Sequence, residues 1–497
     1  MRSPEKTTYT STRGDNERIE SAEAIIRGLA TDKGLYVPTK IPLPEFDYEG
    51  WSNVPYRDVA LKVMKSFLTD FTIPELRKCV DGAYSDSFDS PKIVPVVNTR
   101  NATFLELYHG RTAAFKDMAL SILPYLLTTA LRKNREDKEI IILTATSGDT
   151  GKAALEGFSD VTGTKIVVFY PKNGVSEIQE RQMVTQRGAN TYVFAIEGNF
   201  DDAQNGVKQI FNDDDFSKKL ALNGYRLSSA NSINIGRLVP QVAYYVYAYI
   251  QMLYSRRVKI GEPINIVVPT GNFGNILAAW YAYKMDVPIN KLICASNENK
   301  VLTDFINTGI YDANRQFHLT SSPSMDILIS SNLERLLWHL SDGNSEEIKG
   351  YMKALDENGR YIVSEKVKNN MGIFWGGYSD MPTTHRTIKE LWEEEKYLID
   401  THTAVGYSVY LDYKKQTGDE TPTLIASTAS AYKFADKVGK CIGLAEQPDG
   451  FAYIDELLRV SEVPVPDGLK HLKNKPITQN NLIRIDQMKA AIEKVLS

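Results

Sequence analysis

The chain has 497 residues, of which 42% are hydrophobic and 24% charged, and its formal net charge at pH 7 is −4. This length allows two or three domains, and the composition is that of an ordinary globular protein. The slightly acidic balance excludes an overall basic field of the kind that holds nucleic acid or an anionic membrane. Any anion that the protein binds must therefore be held by local groups.

The cysteines and the apolar runs bear on compartment and membrane. Cys79, Cys294 and Cys441 are widely spaced, which argues against a disulfide framework or a zinc site and is typical of a reducing compartment. The first residues contain no apolar run of the kind that marks a secretory signal. The longest apolar stretch, residues 238–254, is interrupted by Pro240 and predicts a buried helix rather than a membrane span. The sequence therefore predicts a soluble, cytoplasmic protein without a metal site.

Residues 1–95 are predicted to be mainly helical from the spacing of their apolar residues. Ser21 is placed to cap a first helix, and residues 59–67 carry a second apolar stripe at helical spacing. Residues 38–51 contain proline, glycine and acidic residues and predict a connector.

The middle of the chain alternates apolar strands with helical stretches, which predicts an α/β fold with parallel sheets covered on both faces. Residues 299–400 are polar and mixed, and we expect them to elaborate the sheet domain. Ligands in such folds bind at the carboxyl ends of strands, so the loops there are the first places to look for function. The predicted strands are 139–145, 165–170, 191–197, 264–270, 291–296 and 421–428.

Two glycine-containing loops follow predicted strands and are suited to an anion. GNFGN (271–275) lets the backbone approach a ligand, and the free N–H groups at the helix start favour a phosphate. It lacks the third glycine of a dinucleotide fingerprint. TSGDTGK (146–152) is not a P-loop, because Thr146 stands where a glycine is required and Ala153 follows the lysine. Taken alone, each loop fits a tight turn or a helix cap equally well.

Two further segments carry candidate charged groups. In HGRTAAFKD (109–117), Lys116 follows Phe115 and flanking alanines, a setting in which partial burial helps a lysine to lose its proton. In SANSINIGR (229–237), an arginine and short polar side chains at the mouth of a helix are able to hold a phosphate. The alternative for the first segment is an ordinary surface lysine. The alternative for the second segment is a capped helix that carries a surface arginine. Together these loops suit a phosphorylated cofactor and an anionic small substrate, without specifying which cofactor.

In order and spacing, these segments resemble the threonine synthases, which are fold-type II pyridoxal-phosphate (PLP) enzymes related to the tryptophan synthase β chain. The N-terminal YTSTRG and GLATDKGLYVP also resemble the longer microbial and fungal branch of that family. The likeness runs from about Tyr9 to beyond Phe434. The motifs that carry it are HGRTAAFKD, TSGDTG, NSIN with a later arginine, PTGNFGN and THTAVG.

The resemblance implies an architecture of two parallel-sheet domains and an N-terminal, mainly helical domain. We expect residues 1–95 to form the helical domain. Residues 96–140 and 236–497 would form the larger, PLP-binding domain, and residues 141–235 the smaller, substrate-binding domain.

The resemblance also implies roles for individual residues. Lys116 would form the Schiff base with PLP, Thr428 would face the pyridine nitrogen, and Asp149 would lie near the phenolic oxygen. The residues implied to bind the cofactor are Lys116, Phe115, Asp149, Gly271, Asn272, Phe273, Gly274, Asn275 and Thr428. The residues implied to bind the substrate are Ser147 and Thr150 at the carboxylate and Asn231, Ser232, Arg237 and Lys152 at the phosphate.

The implied activity is the conversion of O-phospho-L-homoserine and water to L-threonine and phosphate, by γ-elimination and then β-addition, the last step of threonine biosynthesis. A monomer and a homodimer both stay open, and neither nucleic acid nor a membrane is an expected partner. The chain departs from the family pattern at Arg111, Thr401, Ser430, Ala431 and Tyr432. These departures leave open a PLP-dependent phospho-lyase or dehydratase acting on a related amino acid, or a catalytically silent binding relative.

Overall fold

The computed structural model describes residues 6–15, 17–51 and 53–496. In this part of the chain the strands are, in chain order, β1 (Tyr9–Ser11), β2 (Tyr36–Pro38), β3 (Val96–Asn98), β4 (Thr103–Glu106), β5 (Glu139–Ala145), β6 (Thr164–Pro171), β7 (Thr191–Ile196), β8 (Tyr225–Ser229), β9 (Ile264–Pro269), β10 (Ile289–Ser296), β11 (Ile310–Asp312), β12 (Arg360–Ile362), β13 (Phe374–Tyr378), β14 (Thr423–Ser427) and β15 (Leu482–Ile483).

The helices of the same part of the chain are α1 (Ser21–Arg27), α2 (Tyr56–Phe67), α3 (Ile73–Ala83), α4 (Asp117–Leu120), α5 (Leu123–Asn134), α6 (Asp149–Phe158), α7 (Glu177–Val184), α8 (Phe200–Phe211), α9 (Asp214–Leu222), α10 (Ile235–Tyr254), α11 (Gly274–Lys284), α12 (Val301–Thr308), α13 (Leu333–Leu340), α14 (Ser345–Asn358), α15 (Glu365–Asn370), α16 (Met381–Glu395), α17 (Thr401–Thr417), α18 (Ala435–Cys441), α19 (Gly450–Ser461) and α20 (Met488–Leu496).

Two sheets form the framework, which confirms the α/β prediction. The larger sheet has the strand order β13-β10-β9-β14-β4-β3 and the smaller has the order β15-β7-β6-β5-β8. Within these two sheets, all neighbouring strands are parallel except β3 and β4. Every residue of β9 is buried, as expected for a strand covered by helices on both faces.

The N-terminal helices pack onto the larger sheet's layer of helices rather than forming a separate core. The predicted stripe of α2 is buried at Val59, Val63, Met64 and Phe67, within the same hydrophobic cluster as α10. Ser21 does not cap α1, because Glu20 occupies the cap position and Ser21 is the first, buried helical residue. The prediction of a helical N-terminal region is therefore confirmed, while the cap was placed one residue too late.

The C-terminal segment belongs to the smaller sheet, so the expectation that all of residues 236–497 lie in the larger domain is wrong at its end. Leu482 pairs with Ala195 of β7, and Ile492 packs in the cluster that contains Ile141 of β5. A two-residue strand carries no hydrophobic periodicity, so the sequence could not reveal this return of the chain.

Helix α10 is the predicted buried helix, and its bounds Ile235–Tyr254 include the apolar run around Pro240. Of the helices in the described part of the chain, none combines the length and apolar character that a membrane span needs. The segment 299–400 elaborates the larger domain as expected, and its strand β13 adds to the sheet beside β10. The loops after β4, β9, β14 and β5 converge, and the candidate site lies among them.

Candidate active site

The loop that carries Lys116 is fixed by backbone hydrogen bonds to the segment that follows β14. The N–H of Phe115 donates to the carbonyl of Thr428 at 2.8 Å, and the N–H of Ser430 donates to the carbonyl of Ala113 at 3.1 Å. Two strand ends that are distant in the sequence are thereby joined. This pairing places Lys116 and Thr428, both predicted as site residues, beside one another.

The ammonium of Lys116 lies inside the protein, with a side-chain exposure of 12%. Its Nζ is 3.4 Å from Ser324 Oγ, 3.5 Å from Asp149 Oδ2 and 5.4 Å from the centre of the Phe115 ring. Burial lowers the pKa of Lys116, and the neighbouring Asp149 only partly reverses this effect. A lysine that loses its proton readily is suited to act as a nucleophile and as a base.

Asp149 begins α6 and is enclosed by donors from three segments. Its Oδ1 receives hydrogen bonds from Gln179 Nε2 at 2.9 Å and from Lys433 Nζ at 2.7 Å, and its Oδ2 receives one from Ser324 Oγ at 3.2 Å. Burial opposes the charge, but Lys433 and Lys116 outweigh burial and hold the pKa of Asp149 well below its usual range. Asp149 is therefore an ionised carboxylate next to Lys116.

The GNFGN loop joins β9 to α11 and is held by two side chains from the segment before α13. Ser330 Oγ donates to the carbonyl of Gly271 at 2.7 Å, and Asn332 Nδ2 donates to the carbonyl of Asn272 at 2.9 Å. Phe273 has a left-handed φ of 61°, and its ring is buried in the core, so it offers backbone rather than ring atoms to a ligand. The loop presents the first N–H groups of α11, which favour a phosphate.

The close approach of Ser324 to Gly271 gives a testable contrast with Gly274. A methyl group added to Gly271 would lie 2.6 Å from the carbonyl oxygen of Ser324, whereas one added to Gly274 would lie 3.5 Å from the nearest atom. We expect Gly271→Ala to lower the free energy of unfolding of the cofactor-free protein by about 1–3 kcal/mol. Gly274→Ala should leave it unchanged or raise it by up to about 1 kcal/mol, because alanine favours a helix. Thermal unfolding measures both, and equal effects would contradict this geometry.

The SANSINIGR segment brings unpartnered polar atoms to the same place. Arg237 Nη1 donates to the carbonyl of Ala230 at 2.9 Å, but its Nε is buried and has no partner in the described structure. Burial lowers the pKa of Arg237 to about 10. Asn231 Oδ1 is also buried without a partner in that part of the chain. Ser232 adjoins the GNFGN loop, since a methyl group on Gly274 would lie 3.9 Å from Ser232 Cβ.

Asn275 completes this polar cluster from the first turn of α11. Its Oδ1 accepts hydrogen bonds from the hydroxyls of Tyr244, at 2.7 Å, and Tyr245, while its Nδ2 is buried with no partner among the described residues. Buried polar groups in proteins are normally satisfied, so donors left without partners indicate a ligand. A buried guanidinium without a carboxylate indicates an anionic one.

These residues fit PLP. Lys116 supplies a buried amine, the GNFGN loop supplies backbone N–H groups with room for a phosphate, and Thr428 supplies a hydroxyl at the end of β14. The unpartnered atoms of Arg237 and Asn275 are suited to a second anionic group, and Arg237 lies close enough to add to burial in lowering the pKa of Lys116.

Comparison with known proteins agrees with this assembly. Three family models match the chain. Residues 8–84 match the family described as "Threonine synthase N terminus", and residues 97–429 match the family described as "Pyridoxal-phosphate dependent enzyme". Residues 403–492 match the family described as "Threonine synthase, C-terminal". The chain is 36% identical to the threonine synthase of Eremothecium gossypii, over 98% of each chain. The chain belongs to the threonine synthase family.

Two further comparisons show the breadth of the threonine synthase family. The fold superposes on PLP-bound threonine synthase from Brucella melitensis with a TM-score of 0.87 and 33% identity, over 99% of both chains. Human threonine synthase-like 1 is 37% identical over 88% of this chain, a match that spans 61% of the human protein. The PLP cofactor and the fold-type II architecture follow from this membership.

Three residues of the TSGDTGK motif are placed differently from one another. Ser147 and Thr150 are half-buried in the loop and first turn between β5 and α6, on either side of Asp149. Lys152 Nζ instead binds Glu156 Oε2 at 2.9 Å and Gln186 Oε1, and lines a separate polar cavity of about 560 Å³. The structure does not bring Lys152 to Lys116 or to the other members of the proposed phosphate site.

Four site residues were not singled out from the sequence as part of the threonine synthase site. Lys433 and Gln179 bind Asp149, Ser324 contacts Lys116, and His402 Nε2 accepts a hydrogen bond from the N–H of Ser324 at 3.1 Å. His402 lies on the first turn of α17, and its Nδ1 is 2.7 Å from Asp400 Oδ2. Lys433 sits in the family motif around Phe434, which is the one signal that could have revealed it.

The side chains at the departures from the threonine synthase pattern have partners other than Lys116 in the described part of the chain. Arg111 is exposed and pairs with Glu156 at 3.2 Å. Thr401 is the first residue of α17, and Ser430 caps a 3-10 helix in which Tyr432 donates to the carbonyl of Val463 at 2.5 Å.

His109, at the start of the Lys116 loop, is structural and predicts a pH-dependent stability. Its ring lies 2.6 Å from Asp89 and 2.9 Å from Glu106, and although burial opposes the charge, these carboxylates raise the pKa of His109 to about 9. Because this folded pKa exceeds the unfolded value of 6.5, the stabilisation is fully present below pH 6.5 and is lost as pH rises through about 9.

We therefore expect His109→Gln to lower the free energy of unfolding below pH 6.5, with a difference from the wild type that shrinks above pH 9. Urea unfolding at the two ends of this range measures the difference. A difference that is constant with pH would show that His109 is not charged in the folded protein.

Proposed function

We propose that the protein converts O-phospho-L-homoserine and water to L-threonine and phosphate, with PLP held by Lys116. One observation supports this above all: a buried lysine amine lies near a buried arginine that has no carboxylate partner among the described residues. The first suits covalent attachment of the cofactor, and the second suits a phosphorylated substrate.

The cofactor-holding residues act by position. With PLP bound, Lys116 would hold it covalently, the N–H groups of residues 271–275 would hold its phosphate, and the Thr428 hydroxyl would lie at its ring nitrogen. A neutral hydroxyl at that nitrogen leaves it largely unprotonated, unlike a carboxylate. PLP supplies the electron sink that takes up the electron pair left when a proton departs from the substrate.

The substrate is oriented by two groups of residues. Ser147 and Thr150 hold its carboxylate through hydroxyl and backbone donors. Arg237, Asn231 and Ser232 hold the phosphate, which stays bound as it leaves Cγ. We leave Lys152 out of this set, because its ammonium is already paired with Glu156.

Lys116 moves the protons. With the substrate bound, the amine of Lys116 would be the base that removes the protons from Cα and Cβ as the phosphate leaves Cγ, and the acid that returns one proton to Cγ and one to Cα. A base must be uncharged to accept a proton, and the buried setting of Lys116 favours the uncharged amine. Water then adds at Cβ and gives the threonine hydroxyl.

A phospho-lyase or dehydratase would share Lys116 and the GNFGN loop. The buried guanidinium of Arg237, whose Nε has no partner among the described residues, favours a phosphorylated substrate over free threonine or serine, because a phosphate would supply the missing counter-charge. A cytoplasmic location and a monomeric or dimeric state stay predictions from the sequence.

Complementation tests the function in a cell. A threonine auxotroph that lacks its own threonine synthase should grow without threonine when it expresses this chain, but not when it expresses the Lys116→Ala variant. Equal expression of both proteins, checked by immunoblot, is the control. Failure of the expressed wild-type chain to restore growth would count against the proposal.

A further inference from the structure

Lys433 is a buried ammonium that the mechanism above does not use. It lies in the 3-10 helix Ala431–Phe434, directly after the segment that carries Thr428, and its side chain is 0% exposed. Its Nζ donates to Asp149 Oδ1 at 2.7 Å and to the carbonyl of Thr112 at 2.9 Å. A fully buried lysine is costly unless it is paired, so this arrangement calls for a reason.

The charged groups around this lysine come from several elements. Asp149 faces it from α6, and Asp117 faces it from α4. Burial raises the pKa of Asp117 to about 6, opposed by hydrogen bonds from Thr112 and by the charge of Lys433. Lys116 is the second cation at Asp149, and Arg237 on α10 is a cation near Lys116.

Asp149 creates a conflict for Lys116 that Lys433 can resolve. An ionised carboxylate 3.5 Å from Lys116 Nζ favours the ammonium form, yet the amine has to be uncharged to attack a carbonyl. The two lysines approach different oxygens of Asp149: Lys433 Nζ is 2.7 Å from Oδ1, and Lys116 Nζ is 3.5 Å from Oδ2. The pair Asp149–Lys433 thus presents to Lys116 an acceptor without net charge.

We propose that Lys433 is a positioning residue that neutralises Asp149, so that Lys116 is free to lose its proton while Asp149 stays ionised beside it. This inference rests on the proposed function, because it takes Lys116 as the lysine that binds PLP. Asp149 raises the pKa of Lys116 and Lys433 lowers it, which are the directions that this inference requires.

The test follows the proton of Lys116 without turnover. Cofactor-free protein is mixed with PLP over a range of pH, and the rate at which the visible band of bound cofactor appears is plotted against pH. The inflection of this profile reports the loss of the lysine proton, and the titration of free PLP is common to all variants. The variants are Lys433→Met, Lys433→Arg, Asp149→Asn and the double variant with Lys433→Met and Asp149→Asn.

We expect Lys433→Met to move the inflection upward by about one pH unit, which makes binding about tenfold slower below it. Lys433→Arg keeps the charge and should restore the wild-type inflection. Asp149→Asn should move the inflection downward, and the double variant should return it towards the wild type. Lys437→Met, which removes an exposed lysine paired with Asp436 at 3.1 Å, is the matched control and should change nothing.

Slower binding by the same factor at every pH, with an unmoved inflection in Lys433→Met, would show a merely structural role and overturn the inference. If Lys433→Met does not fold, the Asp149→Asn variant tests the inference instead. An inflection that does not move downward in Asp149→Asn would also overturn the inference. A visible band in Lys116→Ala would instead overturn the assignment of Lys116 in the proposed function, and this inference with it. No band in Lys116→Ala with an unmoved inflection in Lys433→Met would overturn this inference alone.

Discussion

Lys116→Ala is expected to abolish both the visible band of bound cofactor and the formation of threonine. The substitution removes the amine that holds the cofactor and the base that serves the substrate. Loss of proton transfer alone costs about 10²- to 10⁴-fold in turnover, and loss of the attached cofactor adds to this. The absorbance spectrum and the initial rate with O-phospho-L-homoserine measure the two effects separately.

The outcome of this substitution separates chemistry from folding. The Lys116 side chain makes one long hydrogen bond, at 3.4 Å, and one ion pair, so its removal should leave the unfolding transition nearly unchanged. Lys437→Ala is the matched control and should keep the band and the rate. A Lys116→Ala protein that retains the band would place the cofactor on another lysine.

Arg237→Ala is expected to lower kcat/KM for O-phospho-L-homoserine by about 10- to 100-fold, mainly through KM. Hydrogen bonds to charged groups contribute about 1.5–3 kcal/mol, and the substitution removes the guanidinium proposed to hold the substrate phosphate. Steady-state kinetics by phosphate release measure the effect. Arg226→Ala is a matched control, because Arg226 lies on β8 just before the same segment and pairs with Glu136 at 2.8 Å.

Stability provides an independent check on Arg237. Its charge is buried, and its Nε has no partner in the described part of the structure. A charge kept only for binding destabilises the free protein, so Arg237→Met should leave the free energy of unfolding unchanged or raise it. A clear loss of stability with unchanged kinetics for O-phospho-L-homoserine would make Arg237 a structural residue instead.

The parts of the site that could be predicted from the sequence are those at strand ends. Thr428 and the GNFGN loop lie at the ends of predicted apolar strands, and parallel strands bring their carboxyl ends together. Lys116 was singled out from its motif alone, because β4, the strand before it, was not among the predicted strands. The long helix α10 was evident from its long apolar run, although Pro240 interrupts that run. The C-terminal return to the smaller sheet was not, because β15 has two residues and no pattern.

Contacts between side chains from distant segments could not be predicted. Ser324 reaches both Asp149 and Lys116 from a segment without a motif, and only the packed chain shows that it does. Lys152 is the reverse case, because the motif implied that it binds the substrate phosphate but could not show where its side chain points. Glu156 lies four residues later on α6, and this helical spacing pairs the two side chains away from Lys116.

The activity itself is tested most directly by incubating the purified protein, reconstituted with PLP, with O-phospho-L-homoserine and measuring phosphate and amino-acid products together. We expect phosphate and threonine in equal amounts, with no 2-keto acid. Phosphate accompanied by a 2-keto acid in place of threonine would identify a lyase, and no phosphate release from the reconstituted protein would contradict the proposed function.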